Sequence, residues 1–200
     1  MNIAVYLILS YLVGNINPAY IISKIKGFDI RQKGTGNAGA SNIAVEYGKK
    51  AGVLTALFDI FKAFAVTFIA VKIFPDMREM GIFAGSACIL GHIFPVFMGF
   101  RGGKGLASLG GMILAYNPLI FLILILLELI IVLIFDYIAL VAPTGSIAFT
   151  LVYAFVYGDI KGIIVLSAIA LIMFVKHIPN FKRIKEKTEK HVSIMWKKNK

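Results

Sequence analysis

The chain has 200 residues, 59% of them hydrophobic, and it carries a formal net charge of +11 at pH 7. This hydrophobic share is well above that of soluble globular domains, so the composition excludes an ordinary soluble protein and indicates an integral membrane protein. Because the basic residues lie in the gaps between apolar segments, the charge reflects membrane topology, and we expect no nucleic-acid partner.

Six apolar segments are long enough to approach or cross the roughly 30 Å of bilayer hydrocarbon. In chain order they are Ile3–Ile22, Ala51–Phe74, Gly81–Phe97, Leu119–Phe135, Ile138–Tyr157 and Ile160–Val175. A seventh apolar stretch, Gly105–Tyr116, would extend about 18 Å as a helix. By itself it fits either a short span or a re-entrant segment.

The basic residues decide between six and seven spans. With seven spans, nearly all of the 21 Lys and Arg residues fall on one side, in segments 24–50, 97–104 and 176–200, whereas six spans would divide them. The positive-inside rule therefore predicts an all-α integral membrane protein with seven transmembrane helices, its N-terminus outside and its C-terminus in the cytoplasm. No linker divides the chain, so residues 1–200 are predicted to form a single membrane domain with a basic cytoplasmic tail over 176–200.

Three charged residues lie inside predicted spans. Asp59 and Lys62 are one helical turn apart, which favours a structural ion pair over an ion or proton relay. Glu128 is isolated in mid-span and is expected to face the helix bundle. The segment Pro143–Ser146 indicates either a broken helix that lines a polar pocket or a kink near the membrane end.

The first polar loop is glycine-rich and follows Lys33. Its glycines permit positive φ angles, and successive backbone N–H groups can then form an anion-binding nest. The string matches GxGxxG, but an apolar span precedes it where a dinucleotide site has a strand. We therefore predict a phosphate site, with Asn37 as the N-cap of a short helix. The candidate phosphate-binding residues are Thr35, Gly36, Asn37, Gly39, Ser41 and Asn42.

The second polar loop runs from His92 to Gly105. It is not a Walker A loop, because its spacing is one residue short and Gly105 replaces the Ser or Thr. Two cations among adjacent glycines are nevertheless typical of oxyanion binding. The candidate phosphate-binding residues here are Arg101, Gly102, Gly103 and Lys104.

A third polar stretch, interpreted as a loop, follows the last predicted span at Lys176. Its His177 is suited to donating to a phosphate or relaying a proton near neutral pH, although a solvated membrane-end histidine is the alternative. The sequence has one cysteine and neither an HExxH motif nor a cluster of ligand residues. We therefore expect no metal site.

Together, the three stretches resemble the motifs of the bacterial acyl-phosphate:glycerol-3-phosphate acyltransferase family. The chain departs from that family at Val45, where an arginine is common, and at Lys187, where a glycine is usual. The sixth span also lacks the serine-containing stretch of the family. The matching residues are Gly34, Gly36, Asn37, Gly39 and Asn42 in the first motif, His92 through Gly105 in the second, and His177, Asn180, Arg183 and Glu189 in the third.

The resemblance implies transfer of a fatty acyl group from acyl phosphate to the 1-hydroxyl of glycerol 3-phosphate, giving lysophosphatidic acid and phosphate. Lys104, His177 and Asn180 are the expected catalytic residues, with Arg183 on a phosphate. The expected site lies on the cytoplasmic face of the bacterial inner membrane, in contact with membrane lipid. We expect no cofactor and no acyl-enzyme. The sequence indicates no oligomeric state.

A transporter of a small phosphate-bearing anion is the competing interpretation. The charges inside the spans and the proline in the sixth span fit a transporter loosely. Transporters, however, bind substrate near the membrane midplane between repeated halves, and this sequence shows no repeat.

Overall fold

The structure is a computed structural model that describes residues 1–193, and all regular elements in this range are helical. Short 3-10 turns occur at Ile30–Gln32, Val96–Met98 and Ile138–Leu140. The α-helices are α1 (Ile3–Asn15), α2 (Pro18–Ile25), α3 (Ala40–Tyr47), α4 (Lys49–Ile73), α5 (Glu79–Ile93), α6 (Leu106–Tyr116), α7 (Pro118–Phe135), α8 (Val141–Tyr157) and α9 (Ile160–Lys185).

In the described part of the chain, five helical segments are long and apolar enough to cross a membrane. The pair α1 and α2 provides a sixth if the two helices form one span, and α6 is a shorter apolar helix. The prediction of an all-helical protein with several apolar spans is confirmed.

The first predicted span is bent. α1 and α2 meet at an angle of 42° on either side of Ile16 and Asn17. The cause is Pro18, which disfavours a helical backbone at the preceding residue. Asn17 is accordingly extended, and its side-chain oxygen accepts from the backbone N–H of Tyr20 at 2.9 Å, which caps α2.

The third polar stretch is not a loop, and that prediction was wrong. α9 continues through it to Lys185, with Pro179 inside the helix. Hydropathy falls at Lys176, but a helical backbone does not require apolar side chains outside the bilayer. The polar stretch is therefore an extension of the last apolar helix.

The start of α8 is not a broken helix, which was one of the two alternatives predicted for Pro143–Ser146. Pro143 lies in the first turn of the helix, where a missing backbone N–H removes no helical hydrogen bond. α8 runs from Val141 without interruption, and the irregular backbone lies before it, at Ile138–Leu140. On α7, Glu128 is buried, and the Thr144 hydroxyl lies 2.8 Å from one carboxyl oxygen, so the expectation that Glu128 faces protein is confirmed.

The chain divides into two compact units, Met1–Asn117 and Pro118–Lys200. In the first unit, α4 packs against α3, α5 and α6, and α1 packs against α5. The approach of α1 to α5 is close because Gly14 and Gly91 each lie against the backbone of the other helix. A Cβ atom at Gly14 would overlap the Cys88 carbonyl, and one at Gly91 would overlap the Tyr11 carbonyl.

Candidate active site

The first glycine-rich segment (loop 1, residues 33–39) is organised by the side chain of Asn42, which lies buried on α3. Its Oδ1 accepts from the backbone N–H of Thr35 at 3.0 Å. Its Nδ2 lies within hydrogen-bonding distance of the carbonyls of Ile30, Lys33 and Asn37, at 3.0 to 3.2 Å. Asn42 therefore shapes loop 1 from within, and its amide is occupied by the loop's own backbone.

Loop 1 ends at an open helix N-terminus. Gly39, not Asn37, is the N-cap of α3, and no side chain caps the helix. The predicted cap at Asn37 was therefore wrong; the Asn37 amide instead lies over Gly39, which has no Cβ to displace it. Gly34 and Gly36 have φ angles of 54° and 72°, a left-handed conformation that favours glycine.

Four of the six candidate residues of loop 1 and α3 are accessible, whereas Gly39 and Asn42 are buried. Thr35, Gly36 and Ser41 are exposed, and Asn37 is half-buried. The first N–H groups of α3 have no intrahelical partner, as in any helix, and the helix dipole favours an anion beside them. This end of α3 has the properties of a phosphate site.

The second glycine-rich segment (loop 2, residues 99–105) folds back onto the end of α5. Gly102 and Gly103 donate their backbone N–H groups to the carbonyls of Ile93 and His92, at 3.2 and 3.0 Å. A Cβ atom at Gly102 would overlap the His92 carbonyl, and one at Gly103 would overlap the His92 ring. Adjacent glycines are therefore a steric requirement of this turn.

Loop 2 also ends at an open helix N-terminus. Gly105 has a φ of 87° and is the N-cap of α6, again without a side-chain cap. Lys104 is half-buried directly before this helix, and Arg101 is exposed. A lysine charge and an uncapped helix N-terminus here attract the same kind of ligand, an oxyanion.

The two loops touch. A Cβ atom built on Gly103 would lie 3.0 Å from the Ala38 carbonyl, and that carbonyl accepts from Asn17 Nδ2 at 2.9 Å. Arg31, just before loop 1, donates from Nη1 to the carbonyl of Met98, just before loop 2, at 2.7 Å. The structure therefore brings together the two phosphate motifs that the sequence predicted separately.

Asp29 orients the Arg31 side chain for its contact with Met98. The guanidinium donates to both carboxylate oxygens, at 2.9 and 2.7 Å, and hydrogen bonding to it holds the pKa of Asp29 well below its usual range. The same pairing raises the pKa of Arg31. Sequence reasoning missed Asn17, Asp29 and Arg31. Only Asn17 gave a signal, since an Asn before a Pro is typical of a helix start.

The third motif lies in the second unit, on α9. His177 is buried, and its Nδ1 lies 2.7 Å from the carbonyl of Met173. A carbonyl only accepts, so Nδ1 carries the hydrogen, and in the neutral ring Nε2 is the acceptor. Asn180, one turn further, is also buried, which puts both residues on the same side of the helix.

Glu189 joins two of the predicted site residues. Its Oε1 accepts from Asn180 Nδ2 at 2.7 Å, and its Oε2 accepts from Arg183 Nε at 2.6 Å. The sequence motifs include Glu189 but do not predict it as a site residue. Its position nine residues beyond Asn180 gave no signal of contact. Val45, a departure from the family pattern, is exposed on α3.

Comparison with known proteins identifies the family of this chain. A family model described as glycerol-3-phosphate acyltransferase matches residues 4–187. The chain belongs to this family. It is 36% identical over 193 residues to a glycerol-3-phosphate acyltransferase of Bacillus subtilis, covering 96% of this chain and 98% of the relative. It is 38% identical over 179 residues to one of Aquifex aeolicus, covering 88% and 92%.

Solved structures of a glycerol-3-phosphate acyltransferase have the same fold. The glycerol 3-phosphate form of PlsY, an integral membrane glycerol 3-phosphate acyltransferase, matches with a TM-score of 0.89 and 33% identity. This match covers 98% of the present chain and 99% of PlsY. The lysophosphatidic acid form matches with a TM-score of 0.84 and 34% identity, covering 94% of each chain. The chain is therefore an integral membrane acyltransferase, as the sequence predicted.

Proposed function

We propose that this protein transfers a fatty acyl group from acyl phosphate to the 1-hydroxyl group of glycerol 3-phosphate, giving lysophosphatidic acid and phosphate. The observation that carries the proposal is the contact between loops 1 and 2, each of which ends in an uncapped helix N-terminus, with Lys104 directly before one of them. Both proposed substrates bear a phosphate. The PlsY structures are described as glycerol 3-phosphate and lysophosphatidic acid forms, which supports the same acceptor and product here.

Phosphate binding is assigned to the loops. The first backbone N–H groups of α3 and the hydroxyls of Thr35 and Ser41 are directional donors, whereas Lys104 and Arg101 contribute charge. Asn42 acts indirectly, because its amide holds the loop. Arg183 contacts a phosphate while Glu189 orients it. The N–H groups of Gly36, Gly39, Gly102 and Gly103 are bonded to backbone carbonyls, so these glycines are proposed to allow close approach of the phosphate. The proposed donors are Thr35, Asn37 and Ser41 at loop 1 and α3, and Arg101 and Lys104 at loop 2.

In the proposed reaction, the 1-hydroxyl oxygen attacks the carbonyl carbon of acyl phosphate. The bond from that carbon to the phosphate oxygen breaks, and phosphate leaves with the electron pair. The hydroxyl proton passes to Nε2 of His177 or to the departing phosphate. Lys104 and Asn180 stabilise the charge that develops on the carbonyl and phosphate oxygens. Acyl phosphate is already activated, so positioning supplies much of the rate and no cofactor is required.

We further propose seven spans within one membrane domain, with α1 and α2 forming the first span and α6 the fourth. The N-terminus is outside, and the site and the C-terminus face the cytoplasm of the bacterial inner membrane. Support comes from the clustering of basic residues. The test uses a Cys88→Ser background with either Lys50→Cys or Arg78→Cys. In intact cells a membrane-impermeant thiol reagent should label position 78 and spare position 50; the reverse pattern would invert the topology.

The function is tested by phosphate release from palmitoyl phosphate by the purified protein, with and without glycerol 3-phosphate. We expect release that requires glycerol 3-phosphate and matches the formation of lysophosphatidic acid mole for mole. Formation of lysophosphatidic acid from an acyl thioester but not from acyl phosphate would show that the acyl donor is a thioester and would contradict the proposed donor. Absence of both products, in protein shown to be folded, would contradict the function.

A further inference from the structure

Three ionisable side chains form a buried cluster beneath loop 2. Asp59 and Lys62 lie on α4, His92 lies at the end of α5, and each is less than 5% exposed. Lys62 Nζ is 2.6 Å from Asp59 Oδ1, which confirms the predicted ion pair. His92 Nδ1 lies 3.2 Å from Lys62 Nζ and 3.3 Å from Asp59 Oδ1. The ring therefore contacts both members of the pair on α4, and its hydrogen-bonding contact is with Lys62.

The lysine also reaches the first span. Its Nζ donates to the carbonyls of Gly14 and Ile16, at 3.0 and 2.7 Å. These carbonyls lie at the end of α1, just before the bend, and have no partner further along that helix. One side chain thus fixes the relative positions of α1, α4 and the end of α5.

The other side of the His92 ring faces loop 2. The His92 backbone carbonyl accepts from the N–H of Gly103, and the ring fills the space where a Cβ of Gly103 would lie. The Ala38 carbonyl of loop 1 borders the same space. Rotation of the His92 ring would therefore displace Gly103, and Lys104 follows directly in the chain.

Stability alone does not explain this arrangement. Moving two charges out of water is costly, and apolar side chains of similar volume often replace a buried ion pair without loss of stability. Within the described residues of this span, Asp59 and Lys62 are the only buried charged residues, so the cluster does not extend along α4 as a relay path.

We infer that Asp59, Lys62 and His92 form a positioning triad: the pair on α4 fixes the His92 ring, and the ring fixes the backbone of Gly103 and Lys104 for phosphate binding. The effect on catalysis rests on the proposed function of loop 2, whereas the effect on the loop's backbone does not. The two effects can be measured separately.

Two double variants separate positioning from charge compensation. Asp59→Leu with Lys62→Met removes both charges and leaves His92 Nδ1 without a polar partner on α4. Asp59→Asn with Lys62→Met also removes both charges, but the amide keeps a partner for Nδ1. Neither variant leaves a buried charge uncompensated, so both should fold. Thr55→Val is the control on α4, because the Thr55 hydroxyl is buried without a hydrogen-bond partner among residues 1–193.

The first measurement is hydrogen–deuterium exchange of the peptides that cover residues 99–106. Each protein is measured at the same interval below its own melting temperature. Both double variants lose the Lys62 contacts with α1, so we expect exchange to be faster in the leucine variant than in the asparagine variant, and unchanged from wild type in Thr55→Val. Equal exchange in all four proteins would overturn the triad, whether or not the wild type has the proposed activity.

The second measurement is the palmitoyl phosphate assay. The leucine variant should lose about 100-fold in kcat/KM for glycerol 3-phosphate, the cost expected of misplacement by about 1 Å. The asparagine variant should stay within about tenfold of the wild type. Activity of the leucine variant equal to that of the asparagine variant would also overturn the triad. An inactive wild type with the expected exchange pattern would contradict the proposed function alone.

Discussion

Asn180 donates from Nδ2 to Oε1 of Glu189 at 2.7 Å. The other oxygen of the same carboxylate accepts from Arg183 at 2.6 Å, so one acidic side chain orients an amide and a guanidinium. Both partners carry proposed roles in the reaction. Glu189 is therefore expected to act as a positioning residue, without contact to substrate.

Glu189→Ala should lower kcat/KM by about 10- to 100-fold, the equivalent of one hydrogen bond to a charged group. The matched control is Glu186→Ala. Glu186 is exposed, and its ion pair with Lys182 spans 3.9 Å, so its removal should have little effect. Steady-state kinetics of both proteins at equal detergent concentration measure the difference. Equal losses in the two variants would mean that acidic charge on the tail, and not the contact with Asn180, is required.

Lys104→Ala should reduce kcat by about 100- to 1000-fold, because a preorganised donor to developing negative charge is lost. Its melting temperature should remain near that of the wild type, since the side chain is only half-buried. Lys50→Ala, an exposed cation in the same unit, is the control. Turnover of Lys104→Ala within tenfold of the control would remove Lys104 from the catalytic residues.

Asn42→Ala should raise the KM for glycerol 3-phosphate by about tenfold or more and change kcat less. The substitution leaves backbone groups of loop 1 without their internal partner, a cost of about 1–3 kcal/mol for buried polar groups. Val45→Ala tests an exposed position on the same helix and should behave as wild type. A fall in kcat at constant KM would instead indicate that Asn42 acts in the chemical step.

Asp29→Asn should destabilise the protein at neutral pH. The pKa of Asp29 is lowered in the folded state, chiefly by its hydrogen bonds to Arg31, so its contribution is fully present above the ordinary value of 3.8. That contribution is lost as the pH falls through the lower, folded-state pKa. A decrease of about 1 kcal/mol in the free energy of unfolding would lower the melting temperature by roughly 2–4 °C.

The measurement is thermal unfolding at pH 7 and pH 3, with the exposed Asp76→Asn as the control. The difference in melting temperature between wild type and Asp29→Asn should be smaller at pH 3 than at pH 7. The control should have the melting temperature of the wild type at both pH values. A difference that is constant with pH would mean that the destabilisation has a steric cause.

The sequence predicts helix boundaries best where the length of an apolar run determines them. α4 and α7 begin and end within two residues of the predicted spans, because long apolar runs have few alternatives in a membrane. Asp59 and Lys62 were predictable as a pair because helical spacing alone brings them together.

Contacts between distant residues were not predictable in this way. His92 meets Lys62 across 30 residues, and Arg31 meets Met98 across 67. No periodicity indicates such contacts, which depend on how separate helices and turns pack together. The extension of α9 was missed for a different reason: hydropathy reports where a helix leaves the bilayer and not where it ends.

The extension of α9 also limits how this enzyme can adapt to its substrates. His177 and Asn180 are three residues apart on α9, so about 4.5 Å of axial rise separates them in a regular helix. Loops can close around ligands of different shape, but a helix moves such groups only together. Under the proposed roles of His177 and Asn180, the reacting groups must conform to this spacing on α9, and tolerance for different substrates has to come from the glycine-rich loops.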